Sequence, residues 1–115
     1  MNKLDEISHQ RKKAHQKLLS LKSKVYKSFL RLEQAAYADG ALPRKTKELI
    51  AVGISVLMDC ESCMQWHIDR AAAGGATRQE ILEAVEVAIE MGAGRVTVSA
   101  RFALEVMERA FAGKP

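Results

Sequence analysis

The two cysteines of this 115-residue chain, Cys60 and Cys63, lie three residues apart, and His67 follows four residues later. On a helix these spacings place side chains on one face, and Cα atoms three residues apart lie about 5 Å from each other, within the range that a disulfide bridges. Two thiols can then exchange electrons by thiol–disulfide chemistry while the imidazole moves protons. This spacing favours a redox site.

Two other interpretations of the cysteine pair stay open on sequence grounds. Cysteine is among the most buried residue types, so both thiols could be inert core residues. Alternatively, Cys60, Cys63 and His67 could offer three ligands to zinc, with Glu48 as a fourth. No second C-x-x-C and no H-x3-H pattern completes the usual structural zinc site. The redox interpretation is therefore favoured, with no metal and no cofactor expected.

The pattern of apolar residues indicates helices throughout, and nothing in the sequence resembles a strand. Apolar residues recur at spacings of three and four over residues 3–38, which predicts one long helix or two nearly collinear ones with a break at Ser20 and Ser23. Pro43 is placed to open a helix over residues 44–58. The predicted fold class is all-α, with five or six helices.

The cysteines are expected near the start of the next helix. Asp59 can cap a helix that runs from Cys60 to about Ala73. Cys60 would then lie in the first turn, where unpaired N–H groups favour a thiolate by about 0.3–1 kcal/mol. Further along, Gly92 and Gly94 are expected to interrupt the chain before a final helix.

Glu48 is expected to meet His67. If the chain turns at residues 58–60, Glu48 lies about ten residues back, roughly 15 Å along its helix, and His67 lies about seven residues forward, roughly 10 Å along the next. Packed helices lie about 8–10 Å apart, so the two side chains should be nearly level. A carboxylate that orients an imidazole can serve a thiol as a proton relay. The open alternative is that Glu48 is only a helix-start acid favoured by the helix dipole.

Composition and charge describe a single domain with a basic N-terminal arm. Apolar residues make up 48% and charged residues 28% of the chain, and the net charge is +4. Residues 1–31 hold nine Lys or Arg against two acids, a balance of +7, whereas the rest of the chain has a balance of −3. We assign residues 1–22 to the arm and residues 23–112 to a helical domain. We interpret the basic side chains of the arm as a solvated helix face. The alternative is a non-catalytic scaffold whose arm binds nucleic acid or an acidic partner.

The surface and the N-terminus allow two expectations about assembly and location. The helix over residues 44–58 is apolar nearly all round, and one small chain would struggle to cover it, which predicts an oligomer. The longest nearly apolar run has ten residues, whereas a membrane span needs about twenty. The N-terminus does not read as a secretory signal. A cytoplasmic location, where thiols are kept reduced, is expected.

Taken together as E-x11-C-x-x-C-x-x-x-H, these residues resemble the signature of the AhpD-like branch of the carboxymuconolactone decarboxylase family, with similarity over residues 24–110. The resemblance implies an all-α fold and an antioxidant, peroxiredoxin-type thiol peroxidase or disulfide reductase activity. It also implies a hydroperoxide or disulfide substrate, an external dithiol reductant, and a homo-oligomer, as a hexamer or trimer. Membrane and nucleic-acid partners are not expected.

The resemblance also implies roles for individual residues. Cys63 would be oxidised to a sulfenic acid, and Cys60 would be the proton donor and resolving thiol, with Glu48 and His67 as the relay. The helix-end argument points instead to Cys60 as the easier thiolate, so the two assignments disagree. Ser62 stands where the best-known peroxidase members have a second histidine, a departure that bears on peroxidase efficiency. Decarboxylating members lack the cysteine pair, and a lyase using Glu48 and His67 is the alternative enzyme.

Overall fold

The computed structural model describes residues 2–113, and within that range it contains five helices and no strand. The helices are α1 (Lys3–Ser20), α2 (Lys24–Tyr37), α3 (Arg44–Leu57), α4 (Glu61–Ala73) and α5 (Arg78–Ala110). The predicted all-α fold class is confirmed. The chain divides into two compact units between Asp39 and Gly40. Over the described residues, no helix combines the length and the apolar character that a membrane span requires.

In the first unit, a short turn at residues 21–23 joins α1 and α2. Lys22 has a φ of 57°, and the Ser23 hydroxyl starts α2 by accepting a hydrogen bond from the Tyr26 N–H at 3.1 Å. His15 and Tyr26, 11 residues apart, share a side-chain hydrogen bond, whereas a straight helix would separate them by about 16 Å. The predicted break is confirmed, but the predicted collinearity is wrong because the chain bends at this turn.

In the second unit, α3, α4 and α5 pack against one another. Fully buried aliphatic side chains come from all three helices: Val52, Val56, Met64, Ile68, Ile81, Val85, Val96 and Val106. Burial of each such side chain stabilises the fold by about 1.5–3 kcal/mol. The core therefore fixes α3 relative to α4. These two helices carry the residues predicted to react.

Only one face of α3 is buried within the chain. Val52 and Ser55 are 0% and 2% exposed, whereas Ile50 and Ile54 are 48% and 52% exposed. The exposed isoleucines line an open groove of about 470 Å³ between α3 and the first half of α5. One apolar face of α3 therefore stays uncovered within a single chain, as expected of a helix that is apolar nearly all round.

The start of α5 is stabilised by a capping box. The Thr77 hydroxyl accepts a hydrogen bond from the Glu80 N–H at 3.0 Å, and the Glu80 carboxylate accepts one from the Thr77 N–H at 2.8 Å. The ammonium of Lys45, on α3, lies 3.2 Å from the same carboxylate. Two hydrogen bonds hold the pKa of Glu80 below its ordinary value of 4.5. The larger effect comes from the Thr77 backbone N–H, and the next from the Lys45 ammonium.

A kink at Ala93 divides α5 into two halves. Ala93 has a φ of 55° and a ψ of −140°, outside the helical region. A Cβ at Gly92 would lie 2.0 Å from a methyl group of Val96, so a larger residue would force Val96 to move. The predicted interruption at Gly92 and Gly94 is confirmed as this kink. The second half of α5 then runs past the turn that precedes the cysteines.

Candidate redox site

The cysteine motif forms the beginning of α4, and Cys60 is the N-cap of that helix. Cys60 has extended backbone angles, and its Sγ atom accepts a hydrogen bond from the Cys63 N–H at 3.2 Å. Asp59 lies one residue earlier, with a φ of 55°. The prediction that Asp59 caps this helix is wrong, because the chain turns at Asp59 and brings the sulfur to the helix end instead.

Cys60 and Cys63 are joined by a disulfide, with 5.2 Å between their Cα atoms. This separation agrees with the distance expected from the helical spacing. Both residues are partly exposed, so a thiol in solution has access to the bond. On reduction, the Cys63 N–H at the helix start would favour a thiolate on Cys60.

Glu48 and His67 meet as the sequence predicts. His67 Nδ1 lies 2.8 Å from Glu48 Oε1, and the two side chains are 16% and 2% exposed. A carboxylate can only accept hydrogen bonds, so this contact assigns the proton to Nδ1 and leaves the lone pair of a neutral imidazole on Nε2. His67 lies four residues after Cys63 on α4, a spacing that puts the two side chains on one helix face.

Arg44 is a second partner of the buried glutamate that sequence reasoning missed. Its Nε atom lies 3.7 Å from Glu48 Oε2, across one turn of α3, and its side chain is 57% exposed. The i,i+4 spacing of Arg44 and Glu48 was a usable signal for this pair. The carboxylate therefore lies between a cation at the surface and the imidazole of His67.

Two hydrogen bonds join the turn before Cys60 to the second half of α5. The Arg95 guanidinium donates a hydrogen bond to the Leu57 carbonyl at 3.0 Å. The Ser99 hydroxyl donates one to Asp59 Oδ1 at 2.8 Å. Sequence reasoning missed both contacts, since each joins residues about forty positions apart and no local pattern signals them.

Trp66 and Arg70 continue the cysteine-bearing face of α4. The Arg70 guanidinium carbon lies 4.2 Å from the centre of a Trp66 ring, a cation–π contact between consecutive turns. Together with Cys63 and His67, these residues follow i, i+3, i+4 and i+7 spacing. The cysteine-bearing face of α4 thus continues into an aromatic and cationic surface.

The zinc interpretation finds no support in the described part of the chain. Residues 2–113 contain no group of three or more His, Cys, Asp and Glu side chains arranged to hold a metal ion. The sulfurs of Cys60 and Cys63 are bonded to each other. The arrangement is a disulfide flanked by a hydrogen-bonded His67–Glu48 pair.

Comparison with known proteins identifies relatives of this chain. The model of the carboxymuconolactone decarboxylase family matches residues 23–106. This chain belongs to the carboxymuconolactone decarboxylase family. An uncharacterized protein in the cox locus of Paracoccus denitrificans is 42% identical over 81 residues, which cover 70% of this chain and 73% of the relative. An uncharacterized protein of Cupriavidus necator is 40% identical over 67 residues, 58% of this chain and 59% of that protein.

Crystal structures of two members of the family share the fold. An apo-form family protein from Legionella pneumophila superposes with a TM-score of 0.90 at 34% identity, over 96% of this chain and 98% of that one. A Thermotoga maritima member, described with a suggested part in antioxidative response, superposes with a TM-score of 0.81 at 31% identity, over 90% of this chain and 88% of that one. This carboxymuconolactone decarboxylase family member thus shares its fold with both crystal structures.

Proposed function

We propose that this protein is a thiol-dependent oxidoreductase that reduces hydroperoxides or partner disulfides by cycling Cys60 and Cys63 between dithiol and disulfide. The observation that carries the proposal is the disulfide within one helical turn of a histidine that is hydrogen-bonded to a buried glutamate. The suggested antioxidative part of the Thermotoga maritima relative supports the same class of chemistry.

In the oxidative half-reaction, the Cys63 thiolate attacks one oxygen of the hydroperoxide. A sulfur–oxygen bond forms as the oxygen–oxygen bond breaks, so that the sulfur becomes a sulfenic acid and the peroxide is reduced to an alcohol. His67 takes the thiol proton through Nε2 and returns a proton to the leaving alkoxide. Glu48 orients the ring through Nδ1 and balances the charge of the imidazolium.

Cys60 then resolves the sulfenic acid. Its thiolate attacks the Cys63 sulfur, a disulfide forms, and the hydroxide that leaves is protonated to water. The Cys63 N–H at the helix start favours a thiolate on Cys60. The helix-end argument for Cys60 and the family assignment of Cys63 therefore agree once they refer to different steps: Cys63 attacks the peroxide, and Cys60 attacks Cys63.

An external dithiol completes the cycle. One of its thiolates attacks the Cys63 sulfur and releases Cys60 as the thiolate, and its second thiol then displaces Cys63 and closes the reductant's own disulfide. A leaving thiol that is stabilised as the thiolate leaves faster. The hydrogen bond at the helix start therefore assists release as well as resolution.

Hydroperoxide consumption in the presence of dithiothreitol tests the proposal. We expect turnover in the wild type, loss of turnover in Cys63→Ser, and a reduced rate in His67→Ala, with Thr97→Ala as an exposed control. Peroxide consumption by Cys63→Ser at the wild-type rate would contradict the proposal. An activity on a lactone or carboxylate substrate that survives Cys63→Ser but not His67→Ala would favour the decarboxylase-like alternative.

We also propose that the protein acts as a homo-oligomer, a hexamer or trimer, in which a second copy covers the α3–α5 groove. The apolar side chains of α2, which buries no residue, fit such a groove: Val25, Phe29 and Leu32 are 82%, 50% and 66% exposed. Residues 24–37 carry three basic side chains against one acid, while residues 78–92 carry four acids against one basic side chain. Opposite charges thus favour contact between α2 of one copy and the groove of another.

Light scattering tests the assembly. We expect a mass well above the 12.7 kDa of one chain at micromolar concentration, and a smaller mass when Phe29 and Leu32 are replaced by serine. A 12.7 kDa particle for the wild type would contradict the oligomer. Salt-dependent binding to DNA would favour the scaffold alternative. A cytoplasmic location, where dithiol reductants are present, is part of the same proposal.

A further inference from the structure

We propose that Asp59 and Ser99 are positioning residues that set the redox potential of the Cys60–Cys63 disulfide. The inference rests on the proposed redox function and adds a control element that lies outside the cysteine motif. Ser99 is on the second half of α5, and Asp59 is on the turn immediately before Cys60. Neither residue takes part in the bond changes of the proposed chemistry; Ser99 acts through the turn, and Asp59 acts through the turn and through its charge.

The hydrogen bond between Ser99 and Asp59 is partly buried. Ser99 is 6% exposed, and its hydroxyl donates to Asp59 Oδ1 at 2.8 Å. Asp59 has a φ of 55°, a left-handed conformation that Asp and Asn adopt more readily than most non-glycine residues. Two further bonds stabilise the turn: the Asp59 N–H donates to the Val56 carbonyl, and the Cys60 N–H donates to the Ser55 carbonyl, each at 3.1 Å.

The Ser99–Asp59 hydrogen bond favours the disulfide because it restricts the position of Cys60. Closing a disulfide requires the Cys60 sulfur to lie close to the Cys63 sulfur, and a fixed turn keeps it there in the reduced protein. When the turn is free, the dithiol form gains conformations that the disulfide form lacks. Loss of the Ser99–Asp59 bond should therefore make the disulfide easier to reduce at every pH.

The charge of Asp59 favours the disulfide in a different, pH-dependent way. Asp59 and Glu61 flank Cys60 in the chain, and Arg95 of α5 binds the Leu57 carbonyl near the same turn. The Asp59 carboxylate opposes a negative charge on the Cys60 sulfur, so it destabilises the reduced protein once the thiol ionises. The disulfide carries no such charge. Removing the carboxylate charge should therefore raise the reduction potential at alkaline pH and have little effect at a pH where both thiols keep their protons.

Two substitutions separate these effects. Asp59→Asn keeps a side-chain oxygen that accepts from Ser99 and a residue type that tolerates positive φ, but it removes the charge. Ser99→Ala removes the donor and keeps the charge. Thr97→Ala is the matched control, because Thr97 is an exposed hydroxyl residue two positions away whose side chain bonds within its own helix, at the Gly94 carbonyl.

The experiment is an equilibrium of the full chain with glutathione, in which the protein disulfide and two reduced glutathiones exchange with the protein dithiol and oxidised glutathione. It is run from about pH 6 to about pH 9, a range that spans ordinary thiol ionisation. We expect Ser99→Ala to favour the dithiol about threefold at every pH, equivalent to about 14 mV at 29.6 mV per tenfold. Asp59→Asn should show about the same shift near the upper end and none near the lower end. Thr97→Ala should match the wild type.

A wild-type equilibrium for both Ser99→Ala and Asp59→Asn would overturn the inference, and so would an equal shift in Thr97→Ala. If Ser99→Ala does not fold, Asp59→Gly removes the acceptor of the same hydrogen bond at an exposed position, where glycine adopts positive φ without strain. The equilibrium of Asp59→Gly should shift toward the dithiol at every pH. An unshifted equilibrium would overturn the inference. The measurement uses no peroxide. A shifted potential in a protein without peroxide turnover would therefore reject the peroxidase part of the proposed function and retain this inference.

Discussion

The two units of this chain use amphipathic helices in opposite ways. In the first unit, α2 has a strongly apolar side but no fully buried residue. In the second, α3 buries Glu48 to 2% exposure and Val52 completely. Chemistry that depends on an oriented carboxylate needs surroundings that exclude water, and the second unit supplies them at Glu48. The first unit offers exposed apolar and basic surface, which is suited to contact with another molecule.

The largest expected difference between the units is in stability. Ile68→Ala, in the core of the second unit, should lower the free energy of unfolding by about 2–5 kcal/mol, since it leaves a cavity. Leu21→Ala, at a residue 64% exposed in the turn of the first unit, should change it by less than about 0.5 kcal/mol. Denaturant unfolding of both variants checks this. Equal losses would show that the first unit shares the core.

The next largest effect concerns the relay, and it is measured as iodoacetamide alkylation against pH in proteins that also carry Cys60→Ser. Glu48→Gln keeps the hydrogen-bonding shape but removes the charge that stabilises an imidazolium, so Cys63 should alkylate about tenfold more slowly near neutral pH. His67→Ala should do the same. The double variant should be little worse than either single one, because the two groups act as one unit.

Additive losses in that experiment would show that Glu48 and His67 act independently. An unchanged alkylation profile in Glu48→Gln would reduce the site to the two cysteines. The pH at which alkylation is half-maximal should move upward in each variant, since the thiolate loses a cationic neighbour. The same measurement on a variant of the first unit, Leu21→Ala, should show no change.

A smaller effect is expected from Glu80 at the start of α5. Because its pKa is lowered in the folded protein, the charge of Glu80 stabilises the fold above the ordinary value of 4.5, and this contribution is lost as the pH falls through the lowered value. Glu80→Gln should therefore lower the thermal midpoint near neutral pH and match the wild type in strong acid. Glu86→Gln, an exposed acid on the same helix, serves as the control; a pH-independent difference for Glu80→Gln would contradict the assignment.

The smallest effect should come from shortening the first unit. Deletion of residues 1–16 removes much of α1 and no residue of the proposed site. The rate of Cys63 alkylation should change by less than about twofold, within the scatter expected of substitutions remote from a site. A protein that stays folded after the deletion but loses thiol reactivity would show that the first unit contributes to the chemistry.

The sequence was sufficient for features that depend on local spacing. The periodicity of apolar residues predicts the all-α fold class, and the helical rise along two packed helices predicts the contact between Glu48 and His67, now found at 2.8 Å. The capping of α4 was misassigned because Asp59 and Cys60 are adjacent and either side chain could end at the helix start. Only the backbone turn, with a φ of 55° at Asp59, decides between them.

Features that depend on distant residues were beyond such reasoning. Ser99 meets Asp59 in the half of α5 that follows the kink at Ala93, and neither the direction of a kink nor the contacts beyond it follow from helical periodicity. The bend between α1 and α2 was missed for a similar reason. The periodicity of apolar residues continues across the turn and gives no sign that Lys22 leaves the helical region, with a φ of 57°.

The central claim is that Cys60 and Cys63 form one redox unit, and the most direct test is a count of free thiols after reduced protein receives one equivalent of hydroperoxide. The chain has two cysteines, and the account predicts that the wild type loses both thiols together as the disulfide forms. Cys63→Ser should keep its remaining Cys60 thiol over the same time. Retention of both thiols by the wild type, or loss of the Cys60 thiol in Cys63→Ser at the wild-type rate, would contradict the account.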